Sequence, residues 1–234
     1  MLSIRSAPGP HFDVAPYRLS GTVYGTLMNS RGALAALGPA VAQAPYKGAP
    51  KSVVLFLKPP NTFVRPGMPV LVDADVPELE VAAQLGIVIG RAACAVPEAD
   101  ALAHVAGYIV VADFSVPHDV YFRPQVRFKA RDASCAFGAA VAPGGGIADP
   151  DALGICLSID GRIVQRASTG DRVRSTARLI ADVTEFMTLS PGDILMTGAL
   201  SDLPRVRAGA RIEIEIDGLG KLETHVAEAA EGSP

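Results

Sequence analysis

The sequence predicts an α+β protein in which a mixed β-sheet dominates and helices are few. Its 23 glycines and 19 prolines separate many short runs of β-branched residues, which is the pattern of a β-rich domain. Only two segments carry the apolar period of a helix. With 234 residues, of which 49% are hydrophobic, the chain can bury a substantial core.

Four apolar runs are predicted as strands: SVVLFLKP, LGIVIGR, GYIVVADFS and ARIEIEI. The segment ICLSIDGRIVQ places Asp160-Gly161 between two alternating runs. Because Asp-Gly supplies the positive φ angles of a two-residue turn, this segment predicts a β-hairpin. The glycines at 144–146 lack the lysine and serine of a phosphate loop and predict a turn.

Two helices are predicted. The first follows Pro97 and ends near Gly107, and the second runs from about Ser175 to Met187. The second carries an apolar stripe at core-facing spacing, which we interpret as packing and not as a cofactor site: Leu179, Ile180, Val183, Phe186 and Met187.

The two ends of the chain differ in character from its middle. Residues 1–18 are predicted to form a loose N-terminal arm, and AAEGSP a frayed tail. Residues 19–230 are predicted to form a single domain, within which 19–50 could be a small N-terminal lobe.

Composition narrows the class of partner. The net charge of -3 comes from 21 basic and 24 acidic residues without a long single-sign run, so no surface for nucleic acid or an anionic membrane is predicted. No segment approaches the roughly 20 apolar residues of a membrane span. Cys94, Cys135 and Cys156 form no C-x-x-C pair, which argues against a disulfide framework or a zinc site. We therefore expect a cytoplasmic protein whose partners are small molecules or proteins.

Two polar residues interrupt apolar strands. Asp113 stands near the end of GYIVVADFS, where its carboxylate could bind a divalent cation, orient a base or simply be solvated. Gln84 lies within VAAQLGIVIGR. It is either a tolerated strand residue or stands where a catalytic group belongs.

A basic segment follows in HDVYFRPQVRFKARD. Arg123, Arg127, Lys129 and Arg131 lie within nine residues of one another. Such a cluster would suit a substrate with several carboxylates, and a solvated basic loop is the alternative. His118 in the same segment could be a proton shuttle or a structural residue.

The order of IVIGR, a short helix, GYIVVAD, the basic segment and PGDILMTG resembles the fumarylacetoacetate hydrolase family over nearly the whole chain. The stretches LSGTVYGTLMN, APYKGAPKSVVLFLKPPNT and SVPHDVYFRPQVRFKARD are similar to the N-terminal-half type of the homoprotocatechuate (4-hydroxyphenylacetate) pathway isomerase/decarboxylase. The resemblance implies the β-rich mixed-sheet fold of that family.

The resemblance also implies a divalent metal cofactor, Mg²⁺ or Mn²⁺. The family holds it with a Glu-x-Glu pair before Val-Ile-Gly and with a later aspartate. Register on Gly90 puts Ala82 and Gln84 at the two glutamate positions, whereas Asp113 matches the aspartate. Two of the three ligands are therefore missing, and we expect Asp113 to pair with Lys129 instead of holding a metal.

The remaining site residues are implied by the same likeness. Lys129 matches the family's active-site lysine and, with Asp113, is the expected catalytic group. Thr197 matches the threonine of the family's Thr-Gly motif. The expected substrate-binding residues are Arg131, Arg123, Thr197 and Gln84.

Two differences from the family pattern limit the reactions that we expect, one at the metal ligands and one at the water-activating residues. Glu78 and Glu80 precede the metal positions by four residues, about 13 Å along a strand, so they could replace the missing ligands only through a bulge. Ala33 and Ala36 stand where the family often carries a histidine and a glutamate that activate water. Hydrolysis is therefore not expected.

Two hypotheses follow. The chain is an enzyme subunit acting on a small carboxylated substrate, which the resemblance gives as 5-oxopent-3-ene-1,2,5-tricarboxylate or 2-hydroxyhepta-2,4-diene-1,7-dioate. Alternatively, it is an inactive pseudoenzyme that scaffolds a metal-bearing paralogous subunit. Either hypothesis is compatible with a homodimer or a heteromer with that subunit.

Overall fold

The computed structural model describes residues 21–44, 47–65, 67–118 and 126–229. The predicted arm at 1–18 and most of the predicted tail lie outside these residues. The described residues form two β-sheets and a few short helices, which confirms the predicted α+β class. Within these ranges, no helix is long and apolar enough to cross a membrane.

Thirteen strands are described, and they are listed here in chain order: β1 Val23–Leu27, β2 Val54–Lys58, β3 Val70–Val72, β4 Leu79–Ile89, β5 Val105–Ser115, β6 Cys135–Phe137, β7 Ala142–Pro143, β8 Gly154–Ile159, β9 Arg162–Ser168, β10 Ile194–Met196, β11 Arg205–Val206, β12 Arg211–Ile216 and β13 Gly220–Glu228. The α-helices are α1 Arg31–Leu37, α2 Val126–Lys129 and α3 Thr176–Thr184.

The first sheet has eight strands in the order β2-β1-β10-β4-β5-β6, with β11 beside β4 and β7 beside β5. Its β1 and β10 are parallel, whereas β4 and β5 form a long antiparallel pair. The second sheet has the order β3-β13-β12-β8-β9. The segment 19–50 thus contributes a strand, β1, to the interior of the first sheet.

The faces of β4 divide the protein into two environments. Odd-numbered Val81 and Ala83 pack with Leu157 and Ile214 of the second sheet in the main core, and Leu85 and further odd-numbered residues pack against α3. The even-numbered residues point to the opposite face because side chains alternate along a strand. The polar residues of β4 lie on that opposite face.

The predicted strands and hairpin are confirmed by the described residues. The run LGIVIGR belongs to the longer β4, and the other three runs correspond to β2, β5 and β12. Asp160 and Gly161 join β8 to β9 with φ angles of 51° and 76°, as a type I′ turn requires. The three glycines at 144–146 form one turn of 3₁₀ helix.

Both predicted helices are present but shorter than expected. The first is a 3₁₀ helix, Glu98–His104, and Gly107 already belongs to β5. A Cβ at Gly107 would collide with the carbonyl oxygen of Ala142 in β7, so this glycine permits a close strand approach and does not end a helix. The second helix, α3, ends at Thr184. Phe186 is therefore not in the core stripe and is 62% exposed.

Replacement of Leu157 by alanine should test the packing between the sheets. Leu157 is fully buried, so Leu157→Ala should lower the free energy of unfolding by about 2 to 5 kcal/mol. Ile163→Ala, in the same hairpin but half-exposed, should change it by no more than about 0.5 kcal/mol. Urea unfolding followed by circular dichroism measures both. Equal losses would contradict this assignment of the core.

Candidate active site

The even-numbered face of β4 carries Glu80, Ala82 and Gln84. Pairing with β5 sets Ala82 opposite Asp113 and Glu80 opposite Ser115. Paired residues have Cβ atoms about 5 Å apart, so these side chains share one small area. The register is continuous from Glu80 to Val88. No bulge there moves the acidic residues toward the metal positions.

Asp113 is fully buried between two lysine ammonium groups. The Nζ of Lys58 lies 2.8 Å from Oδ1, and the Nζ of Lys129 lies 3.1 Å from Oδ2. Burial alone would raise the pKa of Asp113, but the charges of Lys129 and Lys58 outweigh it and lower the pKa. Asp113 is therefore an ionised carboxylate at neutral pH.

Sequence reasoning missed Lys58. It ends β2, and its Nζ donates to the carbonyl oxygens of Phe114 at 2.9 Å and Ser134 at 3.3 Å and to the hydroxyl of Ser134 at 3.2 Å. The available signal was a lysine at the end of the apolar run VLFLK. Its burial depends on partners that lie 56 and 76 positions away.

Lys129 links Asp113 to a cavity. It ends α2 with 4% of its surface exposed, and its Nζ lies 4.7 Å from the centre of the Phe56 ring. This distance is that of a cation–π contact. Lys129 also lines the cavity, so the predicted active-site lysine can meet a ligand.

Gln84 connects Asp113 to the turn after β10. Its Oε1 accepts from the backbone N–H of Gly198 at 3.0 Å, and its Nε2 donates to Oδ2 of Asp113 at 3.2 Å. Because a backbone N–H can only donate, this contact fixes the orientation of the amide. Gln84 is therefore a hydrogen-bonding link between Asp113 and Gly198 rather than a merely tolerated strand residue.

The other predicted site residues are placed differently. Thr197 is buried beside Gly198, with its backbone oxygen bonded to Asn29. Arg131 does not line the cavity, because its guanidinium pairs with Asp73 and Asp75. Its expected substrate-binding role stays a prediction. Arg123 lies outside the described residues.

The cavity beside Lys129 has a volume of about 310 Å³. Its polar lining includes Thr26, Ser115 and His118, and α1 contributes Ala33 and Ala36. These two alanines are the positions where the resemblance placed water-activating residues. Methyl groups therefore face the cavity where a hydrolase would carry titratable groups.

His118 is held at the edge of the cavity. Its ring stacks on Phe128 with centroids 4.7 Å apart, and its Nδ1 lies 2.8 Å from the carbonyl oxygen of Val116. Because a carbonyl only accepts, Nδ1 carries a hydrogen in this contact. His118 thus stays a candidate proton shuttle as well as a packed residue.

Glu78 and Glu80, the two acidic residues that precede the metal positions, lie in different surroundings. Glu80 lines the cavity, but Glu78 does not and instead accepts from Arg205 at 2.6 Å and Arg207 at 3.4 Å. The pair therefore does not supply a replacement ligand set.

A larger, open depression of about 800 Å³ lies on the second sheet. Its lining includes Arg211, Glu213, Glu223 and His225, and it contains none of the predicted site residues. We assign the candidate site to the smaller cavity, because the buried charges and the predicted lysine are found there.

The residues at the family's metal position do not fit a divalent cation. Ala82 has no ligand atom, the oxygen of Gln84 is used by Gly198, and both oxygens of Asp113 face ammonium groups. Among the described residues, no group of three acidic, histidine or cysteine side chains could hold a metal. Divalent cations require several oxygen ligands.

The two packed sheets and the lysine–aspartate site at the end of the β4–β5 pair define a protein with the fumarylacetoacetate hydrolase fold. Residues 22–227 match the family model described as fumarylacetoacetate (FAA) hydrolase C-terminal. The chain belongs to the fumarylacetoacetate hydrolase family.

A curated relative and two solved structures show where in the family the similarity lies. The 4-hydroxyphenylacetate degradation bifunctional isomerase/decarboxylase of Escherichia coli is 33% identical over 91% of this chain and 48% of its own length. The 5-carboxymethyl-2-hydroxymuconate delta-isomerase of Mycobacterium smegmatis has a TM-score of 0.77 and 26% identity, over 91% of this chain and 81% of that one. The chain thus spans about half the length of the curated relative.

The second structure bears on the metal. It is the maleylpyruvate hydrolase of Sphingobium sp. SYK-6 in complex with manganese(II) ion and pyruvate, with a TM-score of 0.73 and 27% identity over 89% of this chain and 70% of that one. Members of the family therefore bind a divalent metal, whereas the residues at the corresponding position here do not suit one.

The role of Gln84 can be tested by replacing it with an isosteric acid. Gln84→Glu removes the donor to Asp113 and sets two carboxyl groups side by side, so it should lower the free energy of unfolding by about 1 to 3 kcal/mol in EDTA. Burial and the adjacent Asp113 should raise the pKa of the introduced carboxyl against the lowering effect of Lys129, which already pairs with Asp113, so the loss should grow as the pH rises from about 5 to 8.

Urea unfolding at several pH values measures this effect. Gln43→Glu is the matched control, because Gln43 is exposed and its replacement should have little effect. A Gln84→Glu protein as stable as the control at the higher pH would contradict the linking role of Gln84.

Proposed function

We propose that this chain is an isomerase or decarboxylase subunit of 4-hydroxyphenylacetate (homoprotocatechuate) degradation. Its substrate would be 5-oxopent-3-ene-1,2,5-tricarboxylate or 2-hydroxyhepta-2,4-diene-1,7-dioate. The names of the similar relative and of the similar solved isomerase support this reaction class. The observation that carries the proposal is the ammonium of Lys129 at the cavity.

Both reactions pass through a dienolate. In decarboxylation, the bond to the departing carboxylate breaks, its electron pair moves toward the carbonyl oxygen, and the carbon that lost CO₂ later takes a proton. In isomerisation of the 2-hydroxydiene, the hydroxyl proton leaves oxygen to give the same dienolate, and a proton is then added to the carbon at the far end of the diene. A fixed cation beside the developing oxyanion lowers either barrier.

The two alanines that α1 contributes to the cavity favour these reactions over hydrolysis. Lys129 supplies the cation, and the hydroxyl groups of Thr26 and Ser115 can orient a carboxylate. Ala33 and Ala36 offer no group that could activate water. His118, whose ring is held by Phe128, is the candidate for moving the proton.

A second candidate function is a pseudoenzyme that scaffolds a metal-bearing paralogous subunit. The specific observation in its favour is the loss of two metal-ligand positions at Ala82 and Gln84. The longer length of the curated relative is compatible with a partner of the same fold. A homodimer or such a heteromer is part of the proposal, and the cytoplasmic location stays a prediction.

Activity should depend on Lys129. We expect the purified chain to turn over one of the two substrates in EDTA, and Lys129→Met to lower kcat by about 10²- to 10³-fold because it removes the oxyanion's cation. Absorbance of the conjugated dienol follows the reaction. Lys51→Met, at an exposed lysine, is the control and should keep full activity.

The same assay separates the two candidate functions. The wild-type chain is measured alone, with magnesium, and with the paired subunit. Activity that appears only with the paired subunit and is unchanged by Lys129→Met would support the pseudoenzyme and contradict the enzyme proposal.

A further inference from the structure

We propose that Lys58 and Lys129 act as fixed internal cations in place of the family's divalent metal, so that the site binds one anionic oxygen group of a 2-oxo acid without any metal. The choice of a 2-oxo acid rests on the proposed function. The absence of a metal requirement rests on the charges and contacts of this site alone.

The ammonium group of Lys58 is held beside Asp113 by its other contacts. Its ammonium contacts Asp113, Phe114 and Ser134 and is fully buried. Two of these partners, Phe114 and Ser134, are backbone carbonyls, which do not ionise or move independently. The ammonium is therefore fixed against Oδ1 of Asp113.

A divalent ion at Asp113 would have to displace this ammonium. A cation bound to Oδ1 would lie within a few ångströms of the Nζ of Lys58, and like charges at such distances in a buried site repel strongly. The second oxygen, Oδ2, already faces Lys129 and the amide of Gln84. Each carboxylate oxygen of Asp113 to which a metal could bind therefore already faces a hydrogen-bond donor or an ammonium group.

The resulting cluster has an unbalanced charge. Lys58 and Lys129 are both positive, Asp113 is negative and Gln84 is neutral, so these four residues carry one excess positive charge. Glu80 and Asp202 also line the cavity, and Glu80 lies 4.0 Å from the guanidinium of Arg205. Buried charges are stable only when they are paired. Because Lys129 is the member of these four that lines the cavity, an anionic ligand group beside it would pair with this excess positive charge.

A hydroxyl group beside the cluster supports an anion-binding role. Thr26 is 1% exposed and lines the same cavity, and its Oγ1 has no hydrogen-bond partner among the described residues. A buried hydroxyl without a partner is costly. A carboxylate or enolate oxygen near Lys129 could accept a hydrogen bond from it.

The first experiment measures Mn²⁺ binding from the loss of the free-ion electron paramagnetic resonance signal. The wild-type chain should show no saturable binding below about 1 mM, because too few anionic ligands are available. Ala82→Glu/Gln84→Glu should bind weakly. Adding Lys58→Met should tighten binding at least about tenfold and raise the melting temperature only when Mn²⁺ is present, because the competing ammonium is gone.

The second experiment measures pyruvate binding by calorimetry in EDTA. Wild type should bind pyruvate without metal, and Lys129→Met should weaken binding about tenfold or more. Lys51→Met is the matched control and should bind like wild type.

Three results would overturn the inference: tight Mn²⁺ binding by wild type, pyruvate binding that requires Mn²⁺, or equal Mn²⁺ affinity with and without Lys58 in the ligand-restored protein. If the triple variant does not fold, the pyruvate titration of wild type and Lys129→Met still decides. Metal-free pyruvate binding without turnover of the pathway substrates would leave this inference standing and reject the proposed function.

Discussion

The buried carboxylate of Asp113 is the constraint on which the site depends. A charge removed from water is tolerated only when opposite charges and hydrogen bonds compensate it. Here the compensation comes from Lys58 at the end of β2, Lys129 at the end of α2 and Gln84 on β4. One acidic side chain therefore ties together three segments that are distant in the sequence. Breaking a buried pair of this kind commonly costs about 3 to 5 kcal/mol, so the same contacts that shape the site also hold the sheet edge in place.

Gln84 shows how the family's metal position is reused. A glutamate there would set a second carboxylate beside Asp113, whereas the neutral amide uses one N–H as a donor and its oxygen as an acceptor. Its donor meets Asp113, and its acceptor meets Gly198. The φ angle of +106° at Gly198 is one that side-chain-bearing residues rarely adopt, so the turn that receives this bond is itself specialised. Gln84 thereby connects the turn that follows β10 to Asp113 at the centre of the site.

The cavity and the charge cluster are suited to the same chemistry. Enolate reactions need a fixed positive charge near a developing oxyanion and little free water. Lys129 supplies the charge, and the alanines of α1 replace groups that would activate water. This arrangement supports the isomerase or decarboxylase reaction proposed above. Arg131 does not line this cavity, and its guanidinium pairs with Asp73 and Asp75.

Local patterns in the sequence determined much of the fold. The alternation in β8 and β9 and the Asp160-Gly161 turn specify a hairpin by local backbone preference, and apolar runs mark β2, β4, β5 and β12. The register on the family motif at Gly90 assigned Gln84 and Asp113 to one site, and the side chains of these two residues lie 3.2 Å apart. The strands and the hairpin depend on residues that are close together in the sequence, and the assignment of the site depends on a family motif that the chain retains.

Only the tertiary structure decided which charges meet. Nothing near Lys58 in the sequence indicates that its ammonium is buried against Asp113, and nothing near Arg131 indicates that it turns toward Asp73. Phe186 likewise fits the helical stripe by spacing, yet it is exposed because α3 ends before it. Long charged side chains reach partners far away in the chain, and burial sets the strength of these contacts. The sequence therefore determined the strands that carry the site, while their packing decided its electrostatics.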